Sequence, residues 1–567
     1  MSLIFKKYIP FLVLFALFLS IVLMCAVPPV SRDALTHHLA VPILYVQAGN
    51  IHELPDIIPS YYPQLLDLLY CIPMLFGNDI LPKYIHFSFA LLTALLIFLY
   101  LHQRLNPFYG LLSVIFFLSL PVIVKLSVTV YVDLGLIFFS TASLISLLKW
   151  HGQKFRFKWL FLSGVYCGLA LSSKYNGLIT CFLLTVFVPF LYIEGNQHCH
   201  NPIEENRHKS NFIKKNIFQV KAVGHGLCFL FVAIAIFSPW MIKNYVWTKN
   251  PVYPLYDNFF NQESGMDLVN RNSKPPMNHF IIRKLIYKES WFETAIIPLR
   301  IFFQGEDDNP KFFDGKLNPL LFILPFFAFI FYKKTSTQDL IQKKVLLAFA
   351  LLYILIVFFQ QDMRIRWMGP AIPPLVILSA FGLKNIWQLV TPVKIPNSKN
   401  LFDKFHVKKS VLLFLIFSLA SLNAVYIYQL FKKIAPQTYI THQVTRSEYI
   451  EKFRPEYPCL DFSNQHLKGD TKLFAFFLGN RKYYSTHDIR FNYELFKKII
   501  QESETANTIF QKLKNEKFTH LIINYPKFNS WISTNFNMTE KKRIKPFFEK
   551  HTKILFSKNN HGLYQLK

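Results

Sequence analysis

The sequence predicts a polytopic α-helical membrane protein of about eleven transmembrane helices, followed by a small C-terminal α/β domain. Three observations lead to this fold class. Long apolar runs recur from the N-terminus to Phe431, Lys and Arg concentrate in the gaps between the runs, and the pattern changes after residue 431. A membrane span must satisfy its backbone hydrogen bonds within the segment, so each apolar run is expected to be a helix.

The apolar runs define the expected spans. Each is close to the roughly 20 residues that a helix needs to cross the hydrocarbon core. The expected spans are Tyr8–Val27, Pro82–Leu101, Phe108–Leu126, Val130–Leu148, Trp159–Ser172, Gly177–Ile193, Ala222–Met241, Leu317–Tyr332, Val345–Phe359, Met368–Val390 and Val411–Phe431.

The short basic loops set the expected orientation. Four of them carry clusters of Lys and Arg, within 149–158, 207–215, 333–344 and 394–409. If the N-terminus is cytoplasmic, all four lie on the cytoplasmic side, as the positive-inside tendency requires. We therefore expect the C-terminal domain on the opposite, extracytoplasmic side.

Three longer segments then lie outside the membrane: 28–81, 243–316 and the tail 432–567. In the first, Asp33–Gln47 and Gln64–Phe76 are expected to form short apolar or amphipathic helices. We expect two domains, a transmembrane domain over 1–431 and a mixed α/β domain over 432–567. The tail is expected to contain strands at Leu473–Leu478, His520–Ile523 and Leu563–Leu566 and helices at Asn492–Glu504 and Ala506–Lys514.

The basic composition indicates membrane lipid as a partner. The formal net charge is +29, but the cations are distributed among the interhelical loops and the tail. This placement favours membrane topology and anionic lipid over a nucleic-acid partner. The sequence has no Walker loop and no GxGxxG motif before a helix, so bound ATP is not indicated.

Two acidic residues at the ends of apolar runs are candidate catalytic groups. Asp33 follows the first run, and Asp133 opens the fourth, within Tyr131–Leu134. A carboxylate at the mouth of a helix bundle can act as a general base. An ionisable residue at the edge of a span is energetically costly and is often functional. Both residues could instead be helix caps that complement the helix dipole.

Four cations on the expected outer side are candidates for binding an anionic lipid head group. They are Lys83, Lys174, Arg364 and Arg366, and their position runs against the positive-inside trend. Lys binds phosphate as a point charge, and Arg can bind it in a bidentate way. The alternatives are snorkelling towards bulk lipid phosphate and a surface pair between Asp362 and Arg364.

Histidines and tyrosines in the first outer segment leave two questions open. His37 and His38 could bind a divalent metal, but no third ligand stands at a suitable spacing, and solvated interfacial histidines are the alternative. No cofactor is indicated with certainty, and a divalent metal stays open. Tyr61 and Tyr62 could stack on a sugar, or belong to an interfacial aromatic belt.

These motifs in this order resemble the GT-C superfamily of membrane glycosyltransferases. The similarity is greatest to the bacterial branch with lipid A aminoarabinose transferase and the core transferases of the RgtA/B/C/D type. Protein O-mannosyltransferases are more distant relatives. The resemblance covers 8–431, and its motifs are Asp33 in Ser31–Leu35, Asp133 in Tyr131–Leu134, Lys174 in Ser173–Gly177, Asn250–Pro254, Phe312–Gly315 and Arg364–Trp367 with Pro370 and Pro373.

The resemblance implies a hexosyl- or pentosyl-type glycosyltransferase that takes its sugar from a polyprenyl phosphate. The acceptor would be a lipid, a glycan or a protein, at the outer face of a bacterial inner membrane. Asp33 would be the catalytic carboxylate with Asp133 assisting it, and the four cations would hold the lipid phosphate. Where relatives carry acidic pairs or a Lys-Pro-Pro element, this chain has lone Asp33 and Tyr61-Tyr62-Pro63, which leaves the sugar and any metal requirement open.

Three alternatives share the membrane class. A transporter or flippase for a lipid-linked or small solute would also need many spans, but it predicts internal repeats and ionisable groups at the bilayer midplane. Here those groups collect at the outer rim of the spans. A lipid-linked glycan polymerase or ligase, and an inactive scaffold of the same fold, are the other two alternatives.

Overall fold

The computed structural model describes residues 3–197, 208–261, 278–331, 335–360, 363–390 and 409–567. Helices dominate it. The α-helices are α1 (Leu3–Cys25), α2 (Ala40–Ala48), α3 (Leu65–Leu75), α4 (Leu81–Arg104), α5 (Pro107–Ser119), α6 (Pro121–Ser127), α7 (Asp133–Gly152), α8 (Phe157–Ser173), α9 (Gly177–Gln197), α10 (His208–Thr248), α11 (Asp257–Phe260), α12 (His279–Leu285), α13 (Trp291–Ala295), α14 (Ile297–Arg300), α15 (Leu320–Phe327), α16 (Thr337–Gln360), α17 (Ile372–Val390), α18 (Lys409–Ile434), α19 (Pro436–Ile440), α20 (Arg446–Phe453), α21 (Tyr457–His466), α22 (Tyr493–Gln501), α23 (Ala506–Asn515), α24 (Tyr525–Asn535) and α25 (Met538–His551).

Each expected span overlaps a helix. Within the described residues, seven helices are long and apolar enough to cross a membrane, and the bent pair α5–α6 would make eight. Helices α8 and α15 are shorter, with 17 and 8 residues. The count of about eleven spans therefore stays a prediction.

The bend between α5 and α6 has a local cause. The two helices are inclined by 66° at a break between Ser119 and Pro121. Pro121 has no amide hydrogen to donate and restricts the residue before it, so it ends one helix and begins the next. The bend directs α6 away from the axis of α5.

The chain divides into two compact units. The first consists of Met1–Cys25, Tyr61–Leu69 and Lys83–Ile434, and the second of Ala26–Ser60, Tyr70–Pro82 and Ala435–Lys567. In the first unit, α8 packs between α7 and α10. A Cβ atom on Gly168 would lie 2.6 Å from the carbonyl oxygen of Ala233, so glycine lets α8 and α10 approach closely.

The first expected helix of segment 28–81 is divided in the structure. Ala34–His38 forms a single π-helical turn, and α2 follows at Ala40–Ala48. Gly49 ends α2 with a φ of 68°, a left-handed conformation that glycine adopts without a steric penalty. The second expected helix is present as α3 (Leu65–Leu75).

The tail contains a five-stranded sheet in the order β2–β1–β3–β5–β4. Its strands are β1 (Lys472–Phe476), β2 (Asp488–Arg490), β3 (His520–Asn524), β4 (Thr552–Lys558) and β5 (His561–Leu566). Strand β1 is parallel to β2 and β3, and β5 is antiparallel to β3 and β4. The three expected strands and two expected helices of the tail are present, and the edge strands β2 and β4 were not expected.

Both faces of the sheet are covered. Phe474 and Leu521 belong to a core cluster on one face, and Leu473 and Ile522 belong to a second cluster on the other. Successive residues of a strand point to opposite faces, so the central strands are buried on both sides. This explains why they are nearly continuous apolar runs in the sequence.

Candidate functional site

A buried ion pair in the first unit joins two of the motifs. Asp133 begins α7 and is 1% exposed. Its Oδ1 atom lies 2.7 Å from Nζ of Lys174, whose side chain is 22% exposed. The carboxylate also lies at the N-terminal end of α7, where the helix dipole favours a negative charge. A charged hydrogen bond of this length holds the Lys174 ammonium in one position.

Lys174 lies in the short link between α8 and α9. This link is tight, because a Cβ atom on Gly177 would lie 2.7 Å from the carbonyl oxygen of Ala170. The Tyr353 hydroxyl donates a hydrogen bond of 3.1 Å to the carbonyl of Asn176 and so anchors the link to α16. The sequence Lys174–Gly177 therefore presents its lysine from a constrained turn.

His86 fixes the start of α7 and was not among the expected site residues. Its Nε2 atom accepts a hydrogen bond of 3.0 Å from the Leu134 amide. Its Nδ1 atom lies 2.9 Å from the Thr129 carbonyl and 3.0 Å from the Leu126 carbonyl, which assigns the proton to Nδ1. The imidazole thus caps α7 beside Asp133, and the signal in the sequence was a polar residue within an expected span.

Arg366 approaches the ion pair from the segment before α17. Its guanidinium lies 5.0 Å above the ring of Tyr131 and within electrostatic reach of the Asp133 carboxylate. The 3₁₀ segment Ile365–Ala371 carries Arg366 and packs against α7. A Cβ atom on Gly369 would lie 2.8 Å from Ile137, so glycine permits this contact.

Arg364 belongs to a second charged group around Lys125. Its NH1 atom lies 3.5 Å from Asp314, and Lys125 Nζ lies 3.3 Å from Asp307, 3.3 Å from Asp308 and 3.5 Å from Asp314. Carboxylates of the loop after α14 thus partner both cations. The expected alternative partner of Arg364, Asp362, lies outside the described residues.

The tyrosines of the first outer segment contact an aromatic cluster. The Tyr61 ring centroid lies 4.8 Å from that of Tyr253, and Tyr62 lies 5.7 Å from Tyr175. The Tyr175 hydroxyl donates a 2.8 Å hydrogen bond to the Tyr253 carbonyl, and burial raises the pKa of this phenol above its ordinary value. Tyr175 directly follows Lys174, so the aromatic cluster and the ion pair share one link.

Lys243 is a further cation beside the aromatic cluster, and it was not among the expected site residues. Its ammonium lies 3.4 Å from the Tyr62 carbonyl oxygen and 5.0 Å from the Trp247 ring centroid. The next residue, Asn244, is 1% exposed and donates to the Tyr175 hydroxyl at 3.1 Å. The signal was an ionisable residue near the end of an apolar run.

Lys83 and Asp33 occupy other environments. Lys83 lies in the first turn of α4, is 3% exposed and is electrostatically close to Cys25. Asp33 belongs to the second unit, where it is half-buried and precedes the π-helical turn. Its carbonyl oxygen accepts a 3.2 Å hydrogen bond from the Thr36 hydroxyl.

The first unit can therefore present cations beside aromatic rings. Lys174, Arg364 and Arg366 are each partly exposed, while the carboxylate that orients Lys174 is buried. Such an arrangement can bind an anionic group and stabilise a departing oxyanion. In the part of the chain that the structure describes, no group of three His, Cys, Asp or Glu residues is placed to hold a metal ion.

A family model matches part of the chain. The model for dolichyl-phosphate-mannose-protein mannosyltransferase matches residues 81–214. This stretch contains Lys83, His86, Asp133 and Lys174. No curated protein sequence matches the chain.

Solved structures match nearly the whole chain. One is ArnT from Cupriavidus metallidurans bound to undecaprenyl phosphate, with a TM-score of 0.52 and 13% identity over 98% of this chain and 97% of that chain. The apo form of the same protein gives a TM-score of 0.52 and 11% identity, over 99% and 98% of the two chains. An oligosaccharyltransferase from Archaeoglobus fulgidus matches with a TM-score of 0.47 and 12% identity, over 92% and 70%.

The ArnT likeness shows the fold. Together with the apolar helices, it confirms the predicted fold class, a polytopic α-helical membrane protein with a small α/β region at its C-terminus. The predicted resemblance to GT-C membrane glycosyltransferases is also confirmed. The chain is thus a multi-pass membrane protein of ArnT-like fold, similar over residues 81–214 to the protein mannosyltransferase family.

Proposed function

We propose that this protein is a glycosyltransferase that moves a sugar from a polyprenyl phosphate to an acceptor. The observation that carries the proposal is the Asp133–Lys174 ion pair, since it lies within the stretch that matches the mannosyltransferase model. The ArnT structure with bound undecaprenyl phosphate supports a polyprenyl phosphate as the donor.

The cations of the first unit would bind the donor phosphate. Lys174 is oriented by Asp133, and its exposed fraction leaves the ammonium accessible. Arg366 and Arg364 would add bidentate hydrogen bonds to the phosphate, for which the planar guanidinium group is suited. Lys83 and Lys243 are buried or half-buried cations that would strengthen the positive potential. Tyr62, which is 39% exposed, would contact the donor directly, whereas Tyr61, which is 3% exposed, would support the site through its ring contact with Tyr253.

Asp33 would activate the acceptor. In the reaction, an acceptor oxygen forms a bond to the anomeric carbon while the bond from that carbon to the phosphate oxygen breaks. The acceptor proton passes to the Asp33 carboxylate and then to solvent, and the polyprenyl phosphate leaves with the electron pair. Positive charge near the leaving phosphate lowers the barrier, and Asp133 assists by holding Lys174.

The sugar, acceptor and membrane follow from the same proposal. The transferred group would be a hexosyl or pentosyl unit, and the acceptor a lipid, a glycan or a protein. The membrane would be a bacterial inner membrane, with the N-terminus cytoplasmic and the C-terminal domain periplasmic. The basic short loops within 149–158, 207–215, 333–344 and 394–409 support this orientation.

The test is sugar transfer by the purified protein in lipid nanodiscs. Labelled polyprenyl-phosphate hexoses and pentoses are offered with a pool of native envelope acceptors. We expect label on an acceptor with the wild type and loss of transfer with Asp33→Asn. Asp470→Asn is the matched control, because Asp470 is an exposed carboxylate in a loop of the second unit.

Two results would contradict the proposal. Wild-type transfer by Asp33→Asn would remove Asp33 from the mechanism. If no donor supported transfer while the protein, reconstituted in sealed vesicles, moved a labelled lipid or solute across the bilayer, the protein would be a transporter or flippase instead.

A further inference from the structure

The second unit contains a polar cavity of about 500 Å³. Its walls are α2, the first residue of α20, α21 and the loop that leads into β2. Cavities of about 300–1,000 Å³ commonly hold small ligands, so there is room for roughly one or two sugar rings. The lining combines aromatic rings, amides, hydroxyls and a few charges.

The loop that forms one wall is held in place by side-chain hydrogen bonds. Asn464 on α21 accepts from the Thr486 amide at 3.0 Å and from its hydroxyl at 2.9 Å, and it donates to the Tyr484 carbonyl at 2.9 Å. His487 Nε2 donates to the Ser463 carbonyl at 3.0 Å. A loop held by these hydrogen bonds is already ordered without a ligand, which reduces the entropy cost of binding.

Three tyrosines form an aromatic wall. The Tyr484 ring centroid lies 5.2 Å from that of Tyr457 and 5.0 Å from that of Tyr483. The Tyr483 hydroxyl donates to Asp79 at 3.1 Å, and the Tyr484 hydroxyl donates to the Pro29 carbonyl at 2.7 Å. Because these two hydroxyl protons are already donated within the protein, the wall presents ring surface and acceptor oxygens to a ligand.

The charges around the cavity are balanced. Arg446 forms a hydrogen-bonded ion pair with Asp79, and Lys482 lies 3.6 Å from Asp488. Each of the two lining cations thus has a carboxylate partner, which disfavours a multiply charged ligand. Ring surface with balanced polar groups suits a molecule that has apolar C–H faces and many hydroxyls.

We propose that this cavity binds a hydroxylated sugar ring of a glycan. The choice of this ligand class rests on the proposed function, but the site itself is additional to the cation cluster around Lys174. The same chemistry could come from the acceptor glycan or from the sugar of the donor, and the arms of the experiment distinguish them.

The test measures sugar binding by the full chain in nanodiscs with saturation-transfer NMR. The probes are mannose, galactose, glucose and their disaccharides. Gln47→Trp places a large ring at the cavity from an exposed position on α2, and Gln437→Trp makes the same change at an exposed position on α19. We expect binding to wild type and Gln437→Trp, and affinity at least about tenfold weaker with Gln47→Trp.

A second pair of variants tests the aromatic wall. Tyr457→Phe keeps the ring and should keep the affinity, whereas Tyr457→Leu should weaken binding by about tenfold. Equal binding by Gln47→Trp and the wild type, or no binding of any probe to the wild type, would overturn the inference.

Competition identifies the source of the sugar. If the polyprenyl-phosphate derivative of the sugar that binds displaces the free sugar and polyprenyl phosphate alone does not, the donor sugar occupies the cavity. If neither lipid displaces it, the occupant is acceptor glycan; both results support the inference. Failure of the proposed function is distinguishable, since it would appear as sugar binding without any transfer by the wild type.

Discussion

Removing either charge of the Asp133–Lys174 pair should destabilise the protein, and the two losses should differ. Lys174→Met keeps the length of the side chain but leaves the Asp133 carboxylate 2% exposed without its 2.7 Å partner. Asp133→Asn keeps a hydrogen-bond acceptor, and the lysine that remains is 22% exposed and can be solvated. The lysine substitution should therefore be the more damaging of the two.

The magnitudes follow from burial. Removing one partner of a buried ion pair costs about 3–5 kcal/mol, because a charge is left in a dry site. Arg366 lies within electrostatic reach of Asp133 and should keep the loss from Lys174→Met near the lower value. Loss of a hydrogen bond to a charged group costs about 1.5–3 kcal/mol, so Asp133→Asn should fall in that range or below it. The double variant should recover about 1–2 kcal/mol relative to Lys174→Met.

The assay is equilibrium unfolding in mixed micelles, followed by tryptophan fluorescence. Lys344→Met is the matched control, because Lys344 is exposed on α16. This substitution should change the free energy of unfolding of the protein by less than about 0.5 kcal/mol. The reasoning is refuted if Asp133→Asn destabilises as much as Lys174→Met, or if the two substitutions are additive in the double variant.

Two further changes each test a buried histidine, one within each unit. His86→Ala leaves the buried Leu134 amide without its 3.0 Å acceptor and should lower the free energy of unfolding by about 1–3 kcal/mol in the same micelle assay; a neutral effect would show that this cap is dispensable. Burial lowers the pKa of His520 from 6.5 to about 4. The unfolded state therefore binds more protons between these values, so stability present above pH 6.5 should be lost as the pH falls towards 4. His520→Gln should flatten the dependence of the melting temperature on pH over this window, and an unchanged slope would exclude His520 as its source.

The order of the motifs along the chain was enough to select most of the candidate site. Asp133 and Lys174 each stood at the edge of an apolar run, where an ionisable side chain is costly. Their pairing could not be predicted, because they are 41 residues apart and several partners of opposite charge were available. The contact depends on how α7 packs against the link between α8 and α9.

His86 shows a different limit. It lies in an expected span, so its polarity was visible, but its partners are the Leu134 amide and the carbonyls of Leu126 and Thr129. Backbone groups are the same in every residue and leave no signal in the sequence. Only the structure shows which of them a histidine reaches.

The sheet of the tail shows the same division between strands that could be predicted and strands that could not. Central strands β1, β3 and β5 were predicted because burial on both faces requires nearly continuous apolar runs. Strands β2 and β4 lie at the two edges, where fewer side chains are buried and the pattern is weaker. Their pairing depends on neighbours that are distant in the chain.

By itself the sequence determined the membrane class, the helical runs, the basic loops and the residues that carry charge at their ends. These properties depend on hydrophobicity and charge summed over neighbouring residues, which the order of amino acids contains directly. The tertiary structure decided that Asp133 meets Lys174, that Lys243 reaches the Tyr62 carbonyl, and that segments 26–60 and 70–82 group with the tail. Such contacts join elements far apart in the chain, and in a dry interior the choice of a polar partner is set by distance and geometry that only packing supplies.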